Sequence, residues 1–360
     1  MPDYSWPTSE QRRVIGKRLT RLDGAVKASG RAKYGSDIKQ PDLLFGALLT
    51  SPHAHARIKS VDTKEAESLK GVTAVRVVSP AGTEIQWAGT EIAAVAAVSM
   101  DIARDAVRRI KVDYEVLPHA VDDADLAQAG GRAKPTTEIL VGDPDKAFQE
   151  AEVVSEGSYG IPALTHCCLE PHGQTSAWKK DGVDFWASTQ AVSDIPGEVG
   201  QGLEIPAANV RVHQQHVGGA FGSKFSAERW GLEGTRLSSA SGGRAVKLFL
   251  DRSTELETAG SRPSAFARIK VGARKDGAIT AWQAQSWGSS GINGGGISPT
   301  LLPYVFTNIP NKRVNHSGVS VNNVVVRAWR APNNQQACFL TGCALDDLAD
   351  KLNMDPLDLL

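Results

Sequence analysis

Cysteine is scarce, four residues in 360, and lacks the paired spacing of a secreted disulfide framework, which fits a reducing compartment. Neither sign of charge is in excess. Forty Lys and Arg balance forty Asp and Glu. This argues against a dedicated nucleic-acid or membrane-surface protein, whose affinity rests on surplus basic charge. Apolar runs are short, none approaching the roughly 18 residues of a membrane span. Arg12-Arg13 is followed by Lys17, Arg18, Arg21 and Asp23, where an export signal needs an apolar segment. A cytoplasmic location is therefore expected. Against these absences, 41% hydrophobic and 22% charged residues are ordinary globular usage and exclude wholesale disorder. The length suggests two or three domains.

Residues 1–15 are polar, with Pro2 and Pro7, and read as an N-terminal arm. Residues 16–118 read as one small α/β domain. Segments 42–50, 73–78 and 91–98 are apolar and β-prone, and Ile102, Ala103, Ala106, Val107 and Ile110 recur at helical spacing behind a capping Ser99. Residues 110–116 alternate as a half-buried strand. Residues 119–144, rich in Ala, Asp, Gly and Pro, read as a linker. Beyond them, from 145 to 360, the clearest strands fall at 183–187, 210–214, 245–250, 266–271, 279–286 and 321–326, with a Gly-rich break at 288–296. Residues 335–352 form an amphipathic helix, and Asp355-Pro356 opens another that has only four residues after the proline. One turn cannot hold itself together, so the chain is expected to be a fragment or to be completed by a second polypeptide.

The sharpest local motif is Val217-Gly218-Gly219-Ala220-Phe221-Gly222-Ser223-Lys224 after a strand. A phosphate loop needs Gly before the Lys and Ser or Thr after it, and the dinucleotide fingerprint needs glycines at its first, third and sixth positions; both patterns fail here. What remains is a tight structural turn or a loop whose small residues let backbone N–H groups approach a polar ligand. Thr165-His166-Cys167-Cys168-Leu169-Glu170-Pro171-His172 invites a zinc reading, but adjacent cysteines diverge and no C-x-x-C is present, so no metal ligands are assigned. Cys338 and Cys343 suit the face of the last long helix. Gln190, at the end of a strand, is either a surface residue or a ligand-orienting amide. Arg327-Ala328-Trp329-Arg330-Ala331-Pro332-Asn333 is either a cation–π surface stack or an anion-binding loop.

The order of these segments is more telling than any one of them. Trp186–Gln190, Gly218–Lys224 and Arg327–Asn333, followed by a helix ending Asn353-Met354-Asp355-Pro356, resemble the large subunit of the xanthine oxidase family of molybdenum hydroxylases. Arg21-Leu22-Asp23-Gly24, Ala32-Lys33-Tyr34, Val112–Pro118 and His166 with Glu170-Pro171 extend the resemblance over nearly the whole chain, which corresponds to about the first half of the family's subunit. The resemblance implies an α+β fold: a small α/β hammerhead-type domain, then the first part of a molybdopterin-binding α+β domain.

It also implies a molybdenum-pterin cofactor, with no direct protein ligand to the metal. Gln190 resembles the side chain that donates to an oxo ligand. Phe221 and Gly222 resemble residues whose backbone amides approach the metal ligands and pterin, and Gly218 and Gly219 keep that loop close. Arg327 matches an arginine whose own amide lies near an oxo ligand. Gln190 and Arg327 thus stand as the catalytic candidates, while the family's base glutamate lies outside this chain. The implied reaction is hydroxylation of an electron-poor carbon. Electrons leave through 2Fe-2S and FAD centres, which the four cysteines here cannot hold. The implied partners are an iron–sulfur subunit, an FAD subunit and a chain carrying the rest of the large subunit. Phe225 stands where purine-oxidising members carry an acid, and no cysteine lies in 327–333 as in the copper-bearing carbon monoxide branch. Aldehydes or aromatic N-heterocycles remain as substrates. A truncated, non-catalytic paralogue serving as a scaffold is the alternative.

Overall fold

A computed structural model describes residues 5–359; the first residues of the expected arm lie outside it. Two mixed sheets carry most of the chain. In the seven-stranded one, the order across the sheet is Val210–His213, Gly182–Ala187, Gly173–Lys179, Val246–Phe249, Leu44–Thr50, Glu91–Ala97 and Val72–Val77. Leading strands and later strands therefore share hydrogen bonds: Leu44–Thr50 runs parallel to Val246–Phe249, with Leu44 opposite Val246. Helix Glu228–Ala240 packs Trp230 and Leu237 onto Leu44, Ala94, Val246 and Leu248. On the leading segment, helix Met100–Arg109 starts where Ser99 Oγ accepts the Ile102 N–H, the cap its sequence calls for.

The six-stranded sheet is built on Val153–Ile161, Ala265–Ala273, Ile279–Gly288 and Asn311–Val319. Helix Asn334–Leu352 covers it, burying Ala337, Leu340, Ala344, Leu345 and Leu348 against Ala265, Ala267, Ile269 and Trp282. The stretch expected to be a linker contributes here. Ala133–Pro135 and Ile139–Val141 pair as short edge strands with Asn311–Val319, an association made by backbone groups, which leaves no side-chain period to read.

One expected strand is absent. Residues 321–326 are irregular, because their amides turn to the glycine-rich loop: Val321 N–H donates to Gly291 O at 3.3 Å and Val326 N–H to Ser290 O at 3.4 Å. Val321 and Val324 are apolar because they are buried, not because they lie in a ladder. The central strand Gly173–Lys179 shows the reverse, with Gln174, Thr175 and Ser176 all buried in a sheet interior.

Candidate cofactor site

Three loops meet and bond to one another. The first leaves strand Gly182–Ala187. Its Thr189 N–H donates to Gln214 Oε1 at 3.0 Å, Thr189 Oγ1 donates to Lys224 O at 2.9 Å, and Gln190 N–H donates to the same carbonyl at 2.9 Å. Gln190 is thereby tied to the end of the second loop while its side chain stays exposed. Gln190 Oε1 accepts the Gly222 N–H at 2.7 Å. That fixes the carboxamide, since an N–H can be met only by the oxygen, and leaves the Gln190 NH2 group without an acceptor among the described residues.

The second loop, 218–224, is clamped from beneath. Glu170 Oε2 accepts the Gly218 N–H at 2.6 Å, Glu170 Oε1 accepts the Gly35 N–H at 3.0 Å, and Glu170 N–H returns a bond to Gly218 O at 3.1 Å. A Cβ at Gly218 would lie 2.5 Å from Glu170 Cβ, so only glycine fits this close approach. Lys224 turns inward: its buried Nζ donates to Glu170 O at 2.7 Å and Ser188 Oγ at 2.7 Å. Burial lowers its pKa. A lysine spent on internal acceptors has none of the reach that nucleotide loops need. Gly219 and Phe221 have φ of 106° and 55°, and Gly222 has 113°.

The third loop closes the arrangement. Arg330 N–H donates to Phe221 O at 2.7 Å, and Gly222 is packed so tightly that a Cβ would lie 2.4 Å from Ala328 O. His166 Nε2–H donates to Ala328 O at 2.8 Å, and its ring stacks on Trp329 at 4.4 Å; burial keeps this imidazole's pKa low. Arg327 points away from the open face. Its guanidinium is held bidentately by Glu228, with Nη2–Oε2 at 2.6 Å, and lies 5.4 Å from the Trp230 ring centroid. Its N–H donates to Ser261 O at 3.0 Å.

Gln190, Gly218, Gly219, Phe221, Gly222 and Arg327 thus sit on three mutually bonded loops. The structure assigns two amides differently from the sequence-based expectation. The Gly222 and Arg327 N–H groups face Gln190 and Ser261, not an open hollow, because those acceptors lie within bonding distance. Among the described residues the N–H groups of Phe221 and Ala328 have no acceptor. Sequence reasoning missed Glu228, which carries φ of 61°, and Arg262; neither sits in a motif that announces its partner.

Behind the loop, Glu255 Oε1, His172 Nδ1, His172 Nε2 and Ser223 Oγ form a chain at 2.6 and 2.9 Å. This has the connectivity of a hydrolytic triad, yet Ser223 is only 1% exposed and its hydroxyl also donates to Ala220 O at 2.8 Å. It braces the loop.

A family model for the molybdopterin cofactor-binding domain matches residues 129–360, and one for the aldehyde oxidase and xanthine dehydrogenase a/b hammerhead domain matches residues 29–80. The chain belongs to the xanthine oxidase family of molybdenum hydroxylases. Among relatives in that family, the aldehyde oxidoreductase molybdenum-binding subunit PaoC of Escherichia coli is 28% identical over 97% of this chain and 50% of its own length. The nicotinate dehydrogenase large molybdopterin subunit of Eubacterium barkeri is 28% identical over 96% of this chain and 88% of that subunit. Quinoline 2-oxidoreductase from Pseudomonas putida 86 shares the fold, with a TM-score of 0.81 at 22% identity over 96% of this chain and 49% of its own. The chain spans about half the length of the first of these relatives. No helix among the described residues is long and apolar enough to cross a membrane.

Proposed function

We propose that this chain forms one wall of the molybdenum-pterin site of a hydroxylase that oxidises an aldehyde or an aromatic N-heterocycle, with water as the oxygen source. The observation that carries this reading is the convergence of Gln190, Phe221–Gly222 and the Arg327–Arg330 loop, with the Gln190 NH2, Phe221 N–H and Ala328 N–H left as donors. The donor set fits the group: its metal-bound oxygens are acceptors, and several N–H donors beside glycines let a bulky pterin approach. When bound, the cofactor supplies the oxygen-transfer and two-electron chemistry.

The chain's own part is positioning. Gln190 holds its donor in place because Gly222 anchors the other end of the carboxamide. Gly218, Gly219 and Gly222 keep the loop close to its neighbours, and Glu170 fixes the loop without itself facing a ligand. Neither carboxylate that contacts these loops can serve as base, since Glu170 accepts the Gly218 and Gly35 amides and Glu228 is paired with Arg327. The base is assigned to a part of the enzyme outside this chain, and the electron-relay centres, 2Fe-2S and FAD, to partner subunits. The name of the Eubacterium barkeri relative, a large molybdopterin subunit, is in keeping with an assembly of several subunits. Leu169, 91% exposed, and Phe225, 48% exposed, offer apolar surface beside the loops for such a partner. Phe225 also removes the acidic contact expected for purines.

The test is to express the chain with its genomic neighbours in molybdate-replete cells, then measure molybdenum by mass spectrometry and the pterin by fluorescence after oxidation. About one molybdenum and one pterin per copy is the expected result. An intact assembly that lacks both is instead the non-catalytic scaffold, and the proposal fails.

A further inference from the structure

Arg330 is fixed at both ends of its peptide unit and free at its tip. Its N–H is bound by Phe221 O, and its own carbonyl accepts Arg262 Nη2 at 2.8 Å. Its guanidinium is exposed, lies 5.9 Å from the Phe221 ring centroid, and makes no hydrogen bond or ion pair among the described residues. Arg262 lies beneath it, 2% exposed, bonded to Ala331 O at 3.3 Å and Gln336 Oε1 at 3.2 Å, with its guanidinium 4.7 Å from the Trp329 ring centroid. No carboxylate pairs with Arg262 among the described residues. Burial first, and the like charge of Arg330 second, lower its pKa.

The loop therefore carries three arginines of different standing. Arg327 is neutralised by Glu228, and among the described residues Arg262 and Arg330 have no carboxylate partner. A buried guanidinium lacking a carboxylate is unfavourable, and its field reaches further in a low-dielectric surround. An anion bound at the exposed Arg330 guanidinium would relieve both cations. Beside Arg330 stands the exposed ring of Phe221, a surface suited to a flat ring, whereas Trp329 is already stacked by His166 and faced by Arg262. A guanidinium fork next to an aromatic face is complementary to a planar ring bearing a carboxylate.

Resting on the reading of the site given above, we propose that Arg330 is a specificity-determining residue that binds a carboxylate on the substrate, so that the enzyme prefers aromatic acids over their neutral parents. The substrate class is an aromatic aldehyde or N-heterocycle carrying a carboxylate. The competing source of negative charge is a phosphate of the cofactor itself, and the test separates the two.

The purified assembly is assayed with benzaldehyde against 4-carboxybenzaldehyde and with quinoline against quinoline-4-carboxylate. At least a tenfold preference in kcat/KM for the acid of one pair is expected, residing in KM. Arg330→Gln removes at least tenfold of that preference and Arg330→Lys restores part of it. Benzoate, titrated against tryptophan emission, binds the wild type more weakly as salt rises and does not bind Arg330→Gln. Equal kcat/KM for acid and neutral members of both pairs, or an unchanged preference in Arg330→Gln, overturns the proposal. So does a several-fold loss of pterin in Arg330→Gln with the preference intact, which assigns the anion to the cofactor. If the assembly holds no molybdenum, the site reading fails separately, and absence of salt-sensitive benzoate binding then refutes the role of Arg330.

Discussion

Gln190 and Gly222 are bound side chain to backbone across 32 residues, with the carboxamide oxygen 2.7 Å from the glycine nitrogen. This one bond decides which end of Gln190 is free, and so what Gln190 can do for a ligand.

Two substitutions separate its roles. Gln190→Glu keeps an acceptor for Gly222 but puts a carboxylate where a donor stood. Gln190→Ala removes both. Denaturant melts are expected to show Gln190→Glu near wild type and Gln190→Ala lower by about 1 kcal/mol. Turnover of the loaded enzyme falls in both, by about 100-fold for the loss of an aimed donor. Full activity in Gln190→Glu would remove Gln190 from the donor set.

The Arg327–Glu228 pair is a strut. The two side chains are 23% and 16% exposed, so Glu228→Ala strands a largely desolvated guanidinium and is expected to destabilise by about 2–3 kcal/mol. The double variant should cost less than the two single effects combined. A double-mutant cycle checks it, with a coupling of at least about 1 kcal/mol expected; strict additivity would mean the contact holds nothing together.

Two glycines should respond in opposite directions. Gly222→Ala puts a methyl 2.4 Å from Ala328 O at φ 113°, and a loss above about 3 kcal/mol is expected. Gly342 lies inside helix Asn334–Leu352 with nothing within 4 Å of its added Cβ. Gly342→Ala should therefore raise stability by about 0.5–1 kcal/mol. Thermal melts of the two variants suffice.

Acid sensitivity can be assigned to a buried ring. His316 donates Nε2–H to Gly295 O at 3.1 Å and accepts from Ser286 Oγ at 2.9 Å, and burial holds its pKa below the ordinary 6.5. Below 6.5 the unfolded chain takes up a proton that the fold refuses, so this stability is present above that pH and drains away as pH falls. The slope is up to about 1.4 kcal/mol per pH unit. Buried Glu91 and Asp123 are shifted upward and act in the opposite sense. The measurement is therefore the difference between wild type and His316→Asn in urea midpoints from pH 8 to about 5. Parallel profiles would show that His316 titrates normally.

Much of the local structure was legible in the residues themselves. The helix at 334–352 starts one residue from the position its apolar spacing indicates, and Ser99 caps the helix it precedes. These features depend on neighbours within a turn or two. Segment 321–326 misled because a buried irregular strand of chain and a ladder strand demand the same apolar residues. Strand Gly173–Lys179 was faint because Gln174, Thr175 and Ser176 are held in a sheet interior by backbone bonding.

The sequence by itself determined the α+β character and the helices at 100–109 and 334–352, since propensity and capping are short-range properties. Only the tertiary structure decided that the Gly222 and Arg327 amides are spent inside the protein, that Glu228 holds Arg327 from 99 residues away, and that the Arg330 guanidinium has no partner among the described residues. A hydrogen bond is allotted by proximity in space, and no local pattern records which distant acceptor reaches a donor first.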